Sequence, residues 1–146
     1  MKRIIYKNSD GGVSVITPAP DALAIYGINT IAQKDVPAGL PYKIIDDTDL
    51  PSTRVFRCAW EVDSQLKVKT NINKAQAVAH DKRRAKRSEE FKPLDIEATI
   101  PSKAVKAEEA RQLIRTKYDS IQSEIDNCTT IEDLLLTVNR YQLCNS

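Results

Sequence analysis

The chain has 146 residues, of which 41% are apolar, 29% charged and 5% aromatic, with four glycines, seven prolines and three cysteines. That is the size of one domain or two small ones. Twenty-two basic against twenty acidic side chains leave a net charge of +2, which excludes a nucleic-acid or membrane role resting on overall charge, so any such role has to be local.

No stretch approaches the roughly 18 consecutive apolar residues of a membrane span. Met1-Lys2-Arg3 leads only into Ile4-Ile5-Tyr6, with no signal-peptide apolar core behind it, and the expectation is synthesis in the cytosol without membrane insertion. Cys58, Cys128 and Cys144 are odd in number and far apart. They form neither a disulfide framework nor a metal half-site, and reduced, mostly buried thiols are expected.

Charge is unevenly placed: residues 1–70 carry an excess of +1, residues 71–92 of +4 and residues 93–146 of −3. The last glycine is Gly39, and beyond about residue 70 the pattern changes from turns and β-like runs to helical spacing. The predicted organisation is α+β, with a small β-containing N-terminal domain over 1–70 and a helical region over 71–146, a helical hairpin with a short closing helix.

In chain order, Arg3–Lys7 and Val13–Thr17 are β-branched runs joined by Asn8-Ser9-Asp10-Gly11-Gly12, a hairpin signal because glycine supplies the positive φ such turns need. Pro18 and Pro20 stop the second strand. Asp21 is placed to cap a short helix over Ala22–Tyr26, Gly27 to end it, and a second helical piece to follow over Asn29–Gln33. Val36 to Pro41 reads as a turn feeding a strand over Tyr42–Asp46. The run Val55–Val62 has no clear period and is read as a loop followed by a strand-like segment.

A helix is expected from about Asn73 to Lys92 or on to Ile96, with Pro93 ending it, kinking it or marking a junction into a second short helix. Its apolar stripe is thin, beyond Ile72, Ala75, Val78 and Ala79. Ile100-Pro101-Ser102 makes a turn into a long helix, on which Ala107, Ala110, Ile114, Tyr118, Ile121 and Ile125 recur three or four residues apart as a packing seam. On its solvated face Glu108 with Arg111 and Arg115 with Asp119 have ion-pair spacing. Thr129-x-x-Glu132 has the pattern of a capping box opening a final helix, with Ile131, Leu134, Leu135 and Val138 on one face.

Catalytic constellations are sparse. His80 is the single histidine, which excludes a two-histidine metal or phosphotransfer site within one chain; beside Asp81 and Lys82 it is expected to face solvent. Asp46-Asp47-Thr48-Asp49 lacks the glycine and distal glutamate of a calcium loop, so a solvated turn with Thr48 or Asp49 capping a helix is the preferred reading. Neither a phosphate loop nor a nucleophile elbow is present, and Cys58 has no local activator beyond Arg57. The expectation is no enzyme, no cofactor and no metal.

The one segment that invites a ligand is Lys82, Arg83, Arg84, Lys86 and Arg87. Five cations on two helical turns suit phosphates, in salt-dependent and sequence-independent contact. Against that, the run contains no aromatic residue for base stacking, and the acidic stretch Asp95–Asp133 could neutralise it internally. A plain charged surface, or contact with an acidic protein face, is the alternative.

The run Val36-Pro37-Ala38-Gly39-Leu40-Pro41-Tyr42, then Ile44-Ile45-Asp46-Asp47, Asp49-Leu50-Pro51, Arg54, Phe56-Arg57 and Ala59-Trp60-Glu61 resembles a segment of small tailed-bacteriophage proteins encoded among virion and tail genes. The hairpin Gly11–Pro20, the basic helix Lys74–Arg87 and the final helix opening at Thr129–Leu134 are similar as well, while the connection Thr99–Ser102 looks shorter than in that family. The resemblance brings no catalytic residue with it. It implies a virion protein, present in the host cytoplasm during assembly, in contact with other virion proteins in a symmetric multi-copy assembly. Tyr42, Arg54, Phe56, Arg57 and Trp60 are residue types that anchor protein interfaces, and they form the candidate partner-binding set. The rings of Phe56 and Trp60 equally suit the core of a small domain, and the sequence leaves both uses open.

Overall fold

The computed structural model describes residues 1–144. Among these the fold is α+β, with strands in the first half and a cluster of helices in the second, and the chain divides into two units, Met1–Asn71 and a second beginning at Ile72.

In the first unit, β1 (Lys2–Lys7) and β2 (Val13–Ile16) pair antiparallel with Ile5 opposite Val15. The Asn8 carboxamide oxygen accepts the N–H groups of Asp10 and Gly12 (3.1 and 2.8 Å), and Gly11 takes the positive φ of +79°, so the turn is built from local chemistry. β3 (Tyr42–Asp46) pairs with the other edge of β1, giving the order β2-β1-β3. Successive side chains of the central strand point to opposite faces. Ile4 therefore packs with Ile31, Ala32 and Val36 from α1 (Pro20–Asp35) and its end, whereas Ile5 packs with Ile45, Leu50, Trp60 and Val68 on the other side. Because β1 is covered on both faces, it reads as a contiguous apolar run without alternation.

The second cover is a hairpin of β4 (Trp60–Val62) and β5 (Val68–Thr70), preceded by a single 3-10 turn over Arg57–Ala59. Nothing in the sequence pattern marks β5, which is three residues long. Its turn is held by the Asp63 carboxylate, which accepts the N–H groups of Gln65 and Lys67 (2.9 and 3.0 Å), and by Leu66 in the left-handed region at φ +54°.

One expectation for α1 is corrected. Pro20, with φ preset for a first helical turn, opens the helix behind Ala19, and Asp21 lies inside the first turn instead of capping it. The two expected helical pieces are present and meet at Gly27, which ends the first with a φ of +71° that only glycine adopts without strain.

The second unit packs α2 (Ile72–Ala98) along α3 (Ala104–Asn127), with α4 (Ile131–Arg140) against both. Ile121, Ile125, Leu134 and Val138 are fully buried, each contributing about 1.5–3 kcal/mol from burial. α2 offers only Ala75, Ala79 and the stem of Arg83 to that core. Gln76 compensates in part by donating to the backbone carbonyls of Ile125 and Cys128 (3.2 and 3.0 Å) at the end of α3, where helical carbonyls lack partners.

α2 runs past Pro93 to Ala98. Pro93 is exposed, so the carbonyl one turn back, at Glu89, is accessible to water, and the distal turns are tied to α3 by Asp95 and Arg111 (3.1 Å). The α4 cap is Thr130, not Thr129: its hydroxyl accepts the Asp133 N–H at 3.1 Å. Thr130→Ala is expected to lower stability by about 1 kcal/mol, read as a shift in the urea midpoint of the full chain.

Candidate functional site

The segment 42–62 folds into β3, a 3-10 turn over Asp47–Asp49, the loop to Arg57 and β4. Its acidic cluster is spent on structure. Asp46 pairs with Lys2 (2.7 Å) and Asp47 with Arg3 (2.8 Å) and Arg54 (3.6 Å), while Asp49 accepts the Asp46 N–H (3.0 Å). The hydrogen bond from Lys2 holds the Asp46 carboxyl below its ordinary range, and that from Arg3 does the same for Asp47. Among the described residues no group of three or more His, Cys, Asp or Glu side chains is placed to hold a metal ion, and no helix is long and apolar enough to cross a membrane.

The five motif residues divide sharply. Phe56 is fully buried and Trp60 is 1% exposed, the latter in the cluster of Ile5, Ile45, Leu50 and Val68. The Trp60 ring cannot be presented to a partner without opening that cluster. The indole N–H of Trp60 has no acceptor among the described residues, and the Arg54 guanidinium lies 5.3 Å from the ring centroid, a cation–π contact that orients Arg54 at the surface. Tyr42 is 36% exposed, at the start of β3, an edge strand of the sheet. Arg57 is exposed and makes no ion pair among the described residues. Tyr42, Arg54 and Arg57 are thus the motif residues available at a surface. Cys58 is exposed beside them, against the expectation of a buried thiol.

The sequence reading missed Ile25 and Tyr26. They are 71% and 60% exposed, and Tyr26 walls a groove of about 450 Å³ with Ile16, Pro18, Ala22, Thr30 and Ile31. Ala22 and Tyr26 are one helical turn apart, a spacing that ordinarily marks core. Before the break at Gly27, however, Ala22 and Leu23 pack on the core while Ile25 and Tyr26 do not, and after it Ile28, Ile31, Ala32 and Val36 supply the packing. A glycine amid helical apolar spacing was the available signal.

In the second unit the basic run spreads around α2. Arg83 is 6% exposed, with Nη1 3.4 Å from the Tyr118 carbonyl and Nε unpartnered; burial and the neighbouring Arg84 and Arg87 charges all lower its pKa. Lys86 donates to the Gln142 carbonyl (2.8 Å) and lies near enough to Glu90 to help hold that carboxyl ionised. Arg84 pairs only within its own helix, with Asp81. Among the described residues no ion pair joins the run to Asp95–Asp133, and Asp126 and Asp119 act on Arg83 only from beyond contact distance. Those carboxylates are taken instead by Arg111 at Asp95 (3.1 Å), Arg111 and Arg115 at Glu108 (3.0 and 2.7 Å), and Arg140 at Glu124 (3.0 Å). Arg115 accordingly reaches back seven residues to Glu108, not forward to Asp119. His80 does not face solvent freely, since its Nε2 meets Asp126 at 2.9 Å with the side chain 16% exposed.

Glu90 joins α2 to α3. Its carboxylate accepts from Lys117 (2.9 Å) and the Tyr118 hydroxyl (2.8 Å). Burial pushes this carboxyl up, but the two hydrogen bonds outweigh it and hold the pKa below the ordinary 4.5. Tyr118 is raised well above its ordinary 10.0 by burial and by the Glu90 carboxylate. The depressed carboxyl stabilises the fold above the unfolded value and loses that contribution as pH falls through the folded one. The raised phenol stabilises below its unfolded value and loses the contribution as pH climbs. Thermal stability is therefore expected to form a plateau between about pH 5 and about pH 9 and to fall on both sides. Glu90→Gln should flatten the acid-side fall in melts recorded by circular dichroism.

Compared with models of protein families, with curated proteins and with solved structures, the chain has no match.

Proposed function

We propose that this chain is a non-catalytic component of a tailed-bacteriophage particle, at a tail, connector or capsid surface. It works through contacts with other virion proteins in a symmetric multi-copy assembly. The observation that supports this reading is the pair of uses made of the phage-like segment. Phe56 and Trp60 anchor it in the core, while Tyr42, Arg54 and Arg57 remain at the surface. Tyrosine and arginine are the residues by which protein interfaces gain most of their affinity. Ile25 and Tyr26 add exposed apolar area to the same unit.

The test is quantitative mass spectrometry of purified, nuclease-treated particles of the phage that encodes the chain, calibrated against the major capsid protein. A copy number matching a symmetry of the particle is the expected result, and absence from mature particles overturns it. Tyr42→Ala combined with Arg57→Glu changes two exposed side chains without entering the core. It is expected to lower incorporation about tenfold or more, with the circular dichroism spectrum unchanged.

A further inference from the structure

On α2, Arg84, Arg87, Ser88, Phe91, Lys92 and Asp95 line a shallow depression of about 390 Å³. Their spacing of three, four, seven, eight and eleven residues from Arg84 places them along one side of the helix. Phe91, one turn beyond the basic run, is surrounded by guanidinium groups: Arg87 at 5.4 Å from its centroid, Arg111 at 5.8 Å and Arg115 at 5.9 Å. Arg111 and Arg115 have carboxylate partners on α2 or α3. Arg87 has none among the described residues, and its Nε–H is buried without an acceptor. Arg84 and Lys92 pair only with Asp81 and Glu89, each three residues away and exposed, and such pairs yield readily to a stronger anion. Asp95, the one carboxylate in the depression, is held by Arg111.

From this arrangement we infer that the Arg84–Arg87–Lys92 side of α2 contacts the phosphodiester backbone of a nucleic acid without reading its sequence. Charge complementarity identifies the occupant. Three cations are presented along about two turns, one of them without an ion-pair partner among the described residues, with the Ser88 hydroxyl between them as a further donor. The aromatic ring at the centre is covered by guanidinium planes, so Phe91 shapes the cationic surface instead of offering itself for base stacking. This contact goes beyond the proposed virion role and stands whether or not that role holds.

The experiment is fluorescence anisotropy of the full chain with a labelled DNA duplex of about 30 base pairs and a single strand of equal length. Three phosphate contacts give a log–log salt slope of about −3 on the duplex, a loss of roughly 40-fold between about 50 and about 200 mM salt. Arg87→Ala with Lys92→Ala should weaken binding at least tenfold and make the slope shallower by about two. Because Arg87 also packs on Phe91, Ser88→Asp serves as a second variant: it places a carboxylate at an exposed position in the depression and should weaken binding comparably. Lys34→Ala, in the other unit, should change little. Preference for the duplex or the single strand assigns which form is held. Three results overturn the proposal: no binding at low salt, equal losses from Lys34→Ala and from the α2 variants, or equally tight binding of poly-glutamate, which would make the face a site for an acidic protein.

Discussion

Trp60→Ala is expected to unfold the first unit. Removing a fully buried indole costs about 3–5 kcal/mol from lost burial and the cavity left behind, and a unit of this size has on the order of 4–10 kcal/mol to lose. Trp60 packs with Ile5, Ile45, Leu50 and Val68, so the cavity would open between the three-stranded sheet and the β4–β5 hairpin. Trp60→Phe should cost well under half as much, because the indole N–H has no acceptor to forfeit. Backbone amide exchange at Ile4 and Ile5 is the readout, since Trp60 is the chain's only tryptophan and its fluorescence disappears with it. A Trp60→Ala chain that keeps slow exchange there and yet fails to enter particles would show that the ring serves an interface after all. That outcome would return Trp60 to the partner-binding set alongside Tyr42, Arg54 and Arg57.

Arg83→Met is expected to raise the stability of the second unit. Arg83 is buried on the α3-facing side of α2 with one long hydrogen bond to the Tyr118 carbonyl and no carboxylate within ion-pair distance among the described residues. With no carboxylate in contact, and Asp126 and Asp119 opposing its charge only from farther off, Arg83 recovers little of its desolvation cost, and apolar side chains of similar volume have replaced buried charges elsewhere with gains on the order of 1–4 kcal/mol. Methionine keeps the stem that fills the space beside Ala79 and removes the charge that crowds Arg84 and Arg87. Arg83→Ala should do the reverse, because the stem is lost as well. Urea midpoints of the two variants, read with the slope held common, separate charge from packing. Arg83 lies outside the α2 depression, so neither variant should remove the nucleic-acid contact inferred above.

Much of the architecture was legible because it rests on local chemistry. The first hairpin follows from two β-branched runs and a glycine pair. The α3 seam follows from three- and four-residue spacing, and α4 from a threonine-led cap, misplaced by one residue because Thr129 and Thr130 are adjacent and either hydroxyl has the chemistry. β5 was not legible, since three residues carry no period and the strand exists only because Val68 completes the cover over Ile5. Pro93 misdirected the reading of α2, because a proline on an exposed helical face leaves its orphaned carbonyl to water, and sequence does not say which face is exposed.

The residues able to meet a partner were named in the sequence, but their division was not. That Tyr, Trp, Phe and Arg cluster between 42 and 60 is visible in the string. Sending Phe56 and Trp60 inward and leaving Tyr42, Arg54 and Arg57 outward depends on which face of the sheet the β4–β5 hairpin covers. The basic helix behaves likewise. Its charge was countable from the start, yet whether the acidic stretch that follows would neutralise it turned on distances of a few ångströms. Those carboxylates fold onto Arg111, Arg115 and Arg140, leaving Arg87 without one among the described residues. Composition and spacing decide which segments become strands and helices, because those depend on neighbours along the chain. Which charges are paired and which rings are spent depends on neighbours across space, and that only the packed tertiary structure decided.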